Sequence, residues 1–135
     1  MISMATVCQN TCKGWHELRY GRITASVLYK TAQCTTTCGS LVEKILSAND
    51  FDTPDMKRGR DLEKLVLQKV SNTLKKTLNK PGLLLNANYS YFGASPDSVT
   101  ADKVVGVKCP KNDKNINHYY RDGKIVKKYK AQIQL

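Results

Sequence analysis

The spacing of apolar positions changes twice along this chain, from helical steps to alternating or β-branched runs and back to helical steps at the end. Residues 1–13 carry little pattern and read as a loose or partly helical lead-in. Thr24 suits a helix N-cap, and Val27, Leu28 and Ala32 behind it predict a helix over 24–34. Thr35 to Gly39 breaks that helix, and Ser40 caps a second one to about Ser47, with Leu41, Val42, Ile45 and Leu46 inward. After a polar loop at Asn49 to Asp52, Thr53 and Pro54 read as N-cap and first helical residue of the longest helix, running to about Leu78. Met56, Leu62, Leu65, Val66, Val70, Leu74 and Leu78 recur at steps of three and four, which predicts one face as core. Gly59 costs about 1 kcal/mol relative to Ala inside a helix, so it predicts close approach of another backbone or a ligand.

Asn79-Lys80-Pro81-Gly82 stops the helix. Leu83 to Leu85 and Tyr89 to Phe92 then read as strands, with Tyr89 and Tyr91 as half-buried sheet residues. Val99-Thr100 and Val104 to Val107, separated by Ala101-Asp102-Lys103, read as a hairpin or tight connection. The segment 111–124 is polar and lysine-rich, with Tyr119-Tyr120 anchoring one short helical turn. Ile125 to Leu135 reads as a final amphipathic helix with Ile125, Tyr129 and Ile133 inward. The pattern is that of an α/β or α+β fold: a small central mixed sheet from about 83 to 108, flanked by helices from 24, 40, 54 and 126.

At 135 residues, 41% apolar and 24% charged, the chain fits one domain with a modest core. No apolar run approaches the roughly 20 residues of a membrane span, and the opening M-I-S-M-A-T-V-C lacks the basic flank and apolar core of a secretion signal. The expectation is an intracellular protein with no membrane partner. Lys and Arg number 22 against 11 acidic residues, for a net charge of +11, which favours a polyanionic partner and nucleic acid first. Residues 101–135 hold nine of these cations against Asp102, Asp113 and Asp122. The five cysteines, at 8, 12, 34, 38 and 109, form two C-x3-C pairs and a single. That is not zinc-ribbon spacing, His16 and His118 complete no ligand set, and the cysteines are expected as free thiols.

Candidate chemistry gathers in Tyr91 to Pro110, which sets Asp97 at the start of one strand and Lys108 at the end of the next. A carboxylate can hold a divalent cation, and a nearby ammonium can orient a water. An isolated Asp and Lys beside a hairpin are more often simply solvated. Glu63, at the edge of the long helix's apolar face, reads by itself as a surface glutamate pairing with a neighbour such as Lys69 or Arg60.

The arrangement S-P-D followed by V-V-x-V-K-C-P resembles the PD-(D/E)XK nuclease superfamily, and within it the YqaJ viral recombinase or lambda-type exonuclease branch. The resemblance rests on Gly93, Ser95, Pro96 and Asp97, then Lys108, Cys109 and Pro110. It also takes in Trp15, Arg19, the run Gly21 to Ser26, Gly59-Arg60-Asp61-Leu62-Glu63, and Gln132-Ile133-Gln134, all in the family's order. It implies a restriction-endonuclease-like core and a DNA exonuclease dependent on Mg²⁺ or Mn²⁺. Glu63 and Asp97 would ligate the metal with the Val107 carbonyl, Lys108 would position the hydrolytic water, and Gln132 would hydrogen-bond water or phosphate. Arg19 and Ser26 would grip the terminal phosphate of a DNA end, with Arg22 beside them, and Arg60 would face substrate. Homo-oligomers are implied as well. One position departs: where the family has the glutamate of E-x-K, this chain has Gly106, so metal binding is expected to be weak. The family continues past Q-x-Q through further strand and helix, whereas this sequence stops at Leu135, and it reads as a single partial domain or an unusually short member. An exonuclease, a degenerate nuclease fold that binds DNA without turnover, and a basic structural domain with no site all remain open at this point. The ordered match from Trp15 to Gln134 argues against the last.

Overall fold

The computed structural model describes residues 2–3, 6–46 and 53–135, so the expected loop at 49–52 and the end of the second helix at Ser47 lie outside the described residues. In chain order the elements are β1 (Ile2–Ser3), α1 (Lys13–Arg19), β2 (Ile23–Thr24), α2 (Leu28–Ala32), α3 (Ser40–Leu46), α4 (Pro54–Leu74), β3 (Leu84–Asn86), β4 (Tyr89–Ala94), β5 (Ser98–Val99), β6 (Val104–Val105), β7 (Tyr120–Arg121), β8 (Lys124–Ile125) and α5 (Lys127–Gln134). Short 3₁₀ turns occupy Gln9–Thr11 and Asp113–His118. The chain packs as two compact units: Met1–Asp50, Pro81–Ser95 and Lys127–Leu135 form one, Phe51–Lys80 and Pro96–Val126 the other. No helix among the described residues is long and apolar enough to cross a membrane.

The first unit is built on a four-stranded sheet in the order β1-β3-β4-β2. β1 with β3 and β3 with β4 are antiparallel, whereas β2 runs parallel to β4, pairing Ile23 with Phe92 and Thr24 with Gly93. The sheet is therefore mixed, as the pattern implied, but it draws strands from the start of the chain as well as from 84–94, and the β5–β6 pair expected in it forms a separate two-stranded sheet. The reason lies at Thr24. Its backbone pairs with β4, and the Ala25 N–H continues the ladder by donating to the Gly93 carbonyl at 3.0 Å. The expected N-cap is thus spent as strand, and the helix starts only at Leu28. Trp15, Val27 and Leu83 are the buried apolar side chains, Leu83 with no exposed surface. The buried Thr6 hydroxyl accepts from the Leu83 N–H at 3.0 Å, so the backbone there is satisfied although no strand covers it. Gly93 is glycine for space: a Cβ would stand 3.3 Å from methyls of both Leu83 and Leu85. α2 packs against α5.

In the second unit Thr53 caps α4 as expected, its hydroxyl accepting from the Met56 N–H at 3.2 Å. The helix ends at Leu74 rather than 78 because Lys75 turns left-handed, at φ 52°. Its covered stripe also differs from the expected one. Arg60, Leu62, Glu63, Leu67 and Val70 are shielded, while Met56, Leu65, Val66 and Leu74 are exposed, Leu65 at 63%. The expected close approach at Gly59 is absent among the described residues: a Cβ there would meet nothing within 4 Å. β5 and β6 form an antiparallel pair, and Asn79 adds an isolated bridge to Val99, with N–H to O distances of 2.9 and 2.8 Å. Beyond the 3₁₀ turn, Tyr120–Arg121 and Lys124–Ile125 make a hairpin whose turn residues, Asp122 and Gly123, have φ of 51° and 73°. Ile125 is therefore a strand residue, and the last helix begins at Lys127.

Candidate active site

Glu63, Asp97 and Lys108 come from three different places in the second unit: the covered stripe of α4, the residue before β5, and the chain leaving β6. Their effect on one another is electrostatic. The Glu63 carboxyl is pushed above its ordinary value, first by burial and then by the negative charge of Asp97, while Lys80, Lys108 and Arg60 pull it back down. Two carboxyls and three cations thus act on one another, and such clustering of mutually perturbing groups marks a candidate functional site.

Asp97 is fixed by the hairpin it opens. One of its carboxylate oxygens accepts the Val107 N–H, which a regular ladder would have given to the opposite strand. The β5–β6 pairing accordingly stops at Val105, short of the expected 107. Ser98 and Val105 are the last pair of that ladder, with Asp97 just before it on one strand and Gly106 just after it on the other. A Cβ at Gly106 would meet nothing within 4 Å. A side chain at 106 would therefore have room, on the residue next to Val107, whose N–H the Asp97 carboxylate accepts. By type the donors suit a hard divalent cation, but no group of three or more acidic, histidine or cysteine side chains able to hold a metal occurs among the described residues.

Lys80 escaped the sequence reading. Among the cations acting on Glu63 it has the largest effect, ahead of Lys108. It follows Asn79, whose backbone pairs with Val99 and whose carbonyl also accepts the hydroxyl of the buried Ser98 at 2.9 Å. That bridge is a tertiary pairing with no local signature, and in sequence Lys80 looks only like part of a helix stop.

The other candidate residues, Arg19, Arg22, Ser26 and Gln132, belong to the first unit. The Arg19 guanidinium lies 3.9 Å over the Trp15 ring, and the Trp15 indole N–H donates to the Ser95 hydroxyl at 2.9 Å. Both ends of the motif Trp15, Arg19 and Ser95 are thereby tied together, and Ser95 serves as an anchor for the tryptophan. Arg22 directs its guanidinium to two backbone carbonyls, Ser90 at 2.9 Å and Leu18, so much of its donor capacity is spent within the fold. Ser26 is exposed and its hydroxyl is 3.0 Å from that of Thr24. Gln132 is half-buried on α5. All five cysteines are free.

A mixed sheet with these helices is a fold shared with alkaline exonucleases. The structure of an alkaline exonuclease from Laribacter hongkongensis matches with a TM-score of 0.67 at 22% identity, covering 90% of this chain and 64% of that one. The same exonuclease in complex with dAMP matches with a TM-score of 0.71, again at 22% identity, covering 91% and 66%. The chain thus spans slightly less than two thirds of the length of the structures it matches. The model of the YqaJ-like viral recombinase domain matches residues 14–135, and the chain belongs to that family. No curated protein matches the sequence.

Proposed function

We propose that this chain is the core of a nuclease of the phage-recombination type, built to hydrolyse phosphodiester bonds at duplex DNA ends with Mg²⁺ or Mn²⁺, and weakened by glycine at position 106. The observation that carries this is the half-buried Glu63, raised in pKa beside Asp97 and surrounded by Lys80, Lys108 and Arg60. In this proposal Glu63 and Asp97 hold the cation together with the Val107 carbonyl, and the cation supplies charge for the phosphate oxygens and a more acidic water. Lys108 orients the water, and Arg60 and Lys80 face the phosphate; for Gln132, in the first unit, the family resemblance implies a hydrogen bond to water or phosphate. Arg19, with Ser26, takes the terminal phosphate of the DNA end, and Arg22 contributes positive potential more than direct contact. DNA is the partner, and assembly with further copies of the chain belongs to the same proposal.

A specific observation also supports a second reading, a nuclease fold that binds DNA without turnover: no group of three or more acidic, histidine or cysteine side chains able to hold a metal occurs among the described residues, and position 106 is glycine. One experiment separates the two. Titration of Mg²⁺ and Mn²⁺ with a DNA degradation assay should show weak metal binding and slow or no cleavage in the chain as it stands. Gly106→Glu should tighten metal binding and raise cleavage, and Lys108→Ala in that background should remove the gain. Robust cleavage by the unmodified chain would refute the weakened site, and a well-folded but inert Gly106→Glu protein would favour the binding module.

A further inference from the structure

The β7–β8 hairpin carries a charge arrangement that stability alone does not explain. Its register sets Arg121 directly opposite Lys124, and like charges at directly opposite positions of an antiparallel pair destabilise it. Both side chains are exposed, and neither has an acidic partner among the described residues. Four lysines elsewhere pair with carboxylates: Lys13 with Glu17, Lys76 and Lys103 with Asp102, and Lys111 with Asp55. Asp122 lies between the two cations in sequence and yet forms a salt bridge to neither. The two-residue turn at Asp122 and Gly123, both left-handed, holds the strands in this register. At the base of the hairpin, the Val126 N–H donates to the Tyr119 carbonyl at 3.0 Å.

We propose that this hairpin is a second DNA contact, a clamp in which Arg121 and Lys124 hold one stretch of phosphate backbone between them. An anion placed there adds two attractions that offset the cross-strand repulsion, so occupancy favours the arrangement. The partner is a nucleic-acid backbone rather than base edges, because flexible, exposed cations on a short hairpin fix charge and not a hydrogen-bonding pattern. Preceding 3₁₀ residues Lys114 and His118 are exposed as well, and β7 packs against that turn. The net charge of +11 favours a polyanion at this site, and the DNA-binding reading above makes nucleic acid the occupant.

This rests on the DNA-binding part of the proposed function, and the test keeps the two apart. Binding of the full chain to a short blunt duplex is measured without divalent metal over a salt series, for the wild type, Arg121→Ala/Lys124→Ala, and a control Lys30→Ala/Lys44→Ala. Each phosphate contact contributes about 0.9 to the slope of log affinity against log salt, so the hairpin variant should lose about 1.8 and the control clearly less. Arg121→Lys should keep the wild-type slope, and a thermal melt confirms that each variant is folded. A wild type that binds with an unchanged slope in the hairpin variant, or an equal loss in the control, overturns the clamp alone. Binding by the hairpin variant that matches wild type on DNA but fails on polyglutamate would assign the hairpin to an acidic protein partner and also overturn it. A wild type with no salt-dependent binding to the duplex overturns the proposed function and the clamp with it.

Discussion

Glu63 occupies a position where its charged form is disfavoured, since burial and the Asp97 carboxylate both oppose ionisation more than the surrounding cations favour it. The consequence for stability has a definite sign. A carboxyl whose folded pKa lies above its unfolded value, near 4.5, contributes stability that is fully present below the unfolded pKa and is lost as pH rises through the folded one. Glu63→Gln removes that loss. In the absence of divalent cations the variant should therefore melt above the wild type near neutral pH, and the difference should vanish as pH falls below the ordinary glutamate range. Thermal melts across that range check it; a constant difference at every pH would mean that the substitution acts through packing. At this scale the motifs singled out Glu63, Asp97 and Lys108, and the structure places all three in the second unit. The sequence missed Lys80 because the Asn79–Val99 bridge that delivers it is made between distant segments. It also assigned Gly59 a close contact on the cost of glycine in a helix, and the space around that residue is open.

The elements themselves were legible where local chemistry decides them and obscure where pairing does. Thr53 with Pro54 marked the start of α4 correctly, since capping involves only neighbouring residues. Thr24 offered the same local signal and was claimed instead by pairing with Gly93, far away in sequence. The Asp122-Gly123 turn was in plain sight as a two-residue hairpin signal, but the flanking strands are only two residues each and the lysine-rich composition masked them. On α4 the apolar residues are too many for one face, and the stripe that is shielded is the one that carries Arg60 and Glu63. This gives a sharp contrast between two leucines. Leu83 has no exposed surface and closes on Gly93, so Leu83→Ala should cost about 2–5 kcal/mol. Leu65 is 63% exposed, and Leu65→Ala, in a helix where alanine is favoured, should stay within about 0.5 kcal/mol. Urea denaturation of both variants measures this; a large cost at Leu65 would show that its face is covered in solution.

Over the whole molecule the dominant quantity is charge. A net +11 over 135 residues is untouched by salt bridges, since each joins one cation to one anion, and the observed ones lie between exposed groups, where each is worth little. The excess is free to act on a polyanion, and because it is distributed over loops, helix ends and a hairpin, it should track a phosphate backbone without reading bases. DNA affinity should therefore depend on duplex length, ignore sequence, and fall steeply with salt; six or more phosphate contacts correspond to a loss on the order of a thousandfold between about 50 and 200 mM. Against that uniform background Arg19 should behave differently. It is stacked on Trp15, which is itself held by Ser95, so its guanidinium is oriented where the surface lysines are not. An oriented fork suits a terminal phosphate, which offers more charge and more acceptor oxygens than an internal diester. Arg19→Ala should therefore reduce the preference for a 5′-phosphorylated end while leaving binding to internal duplex nearly intact, with Ser26→Ala acting in the same direction but less. Competition between phosphorylated and unphosphorylated duplexes of equal length measures the preference directly. An equal loss on both would make Arg19 one more contributor to the general field, and affinity that stayed flat with salt would remove that field as the basis of binding altogether.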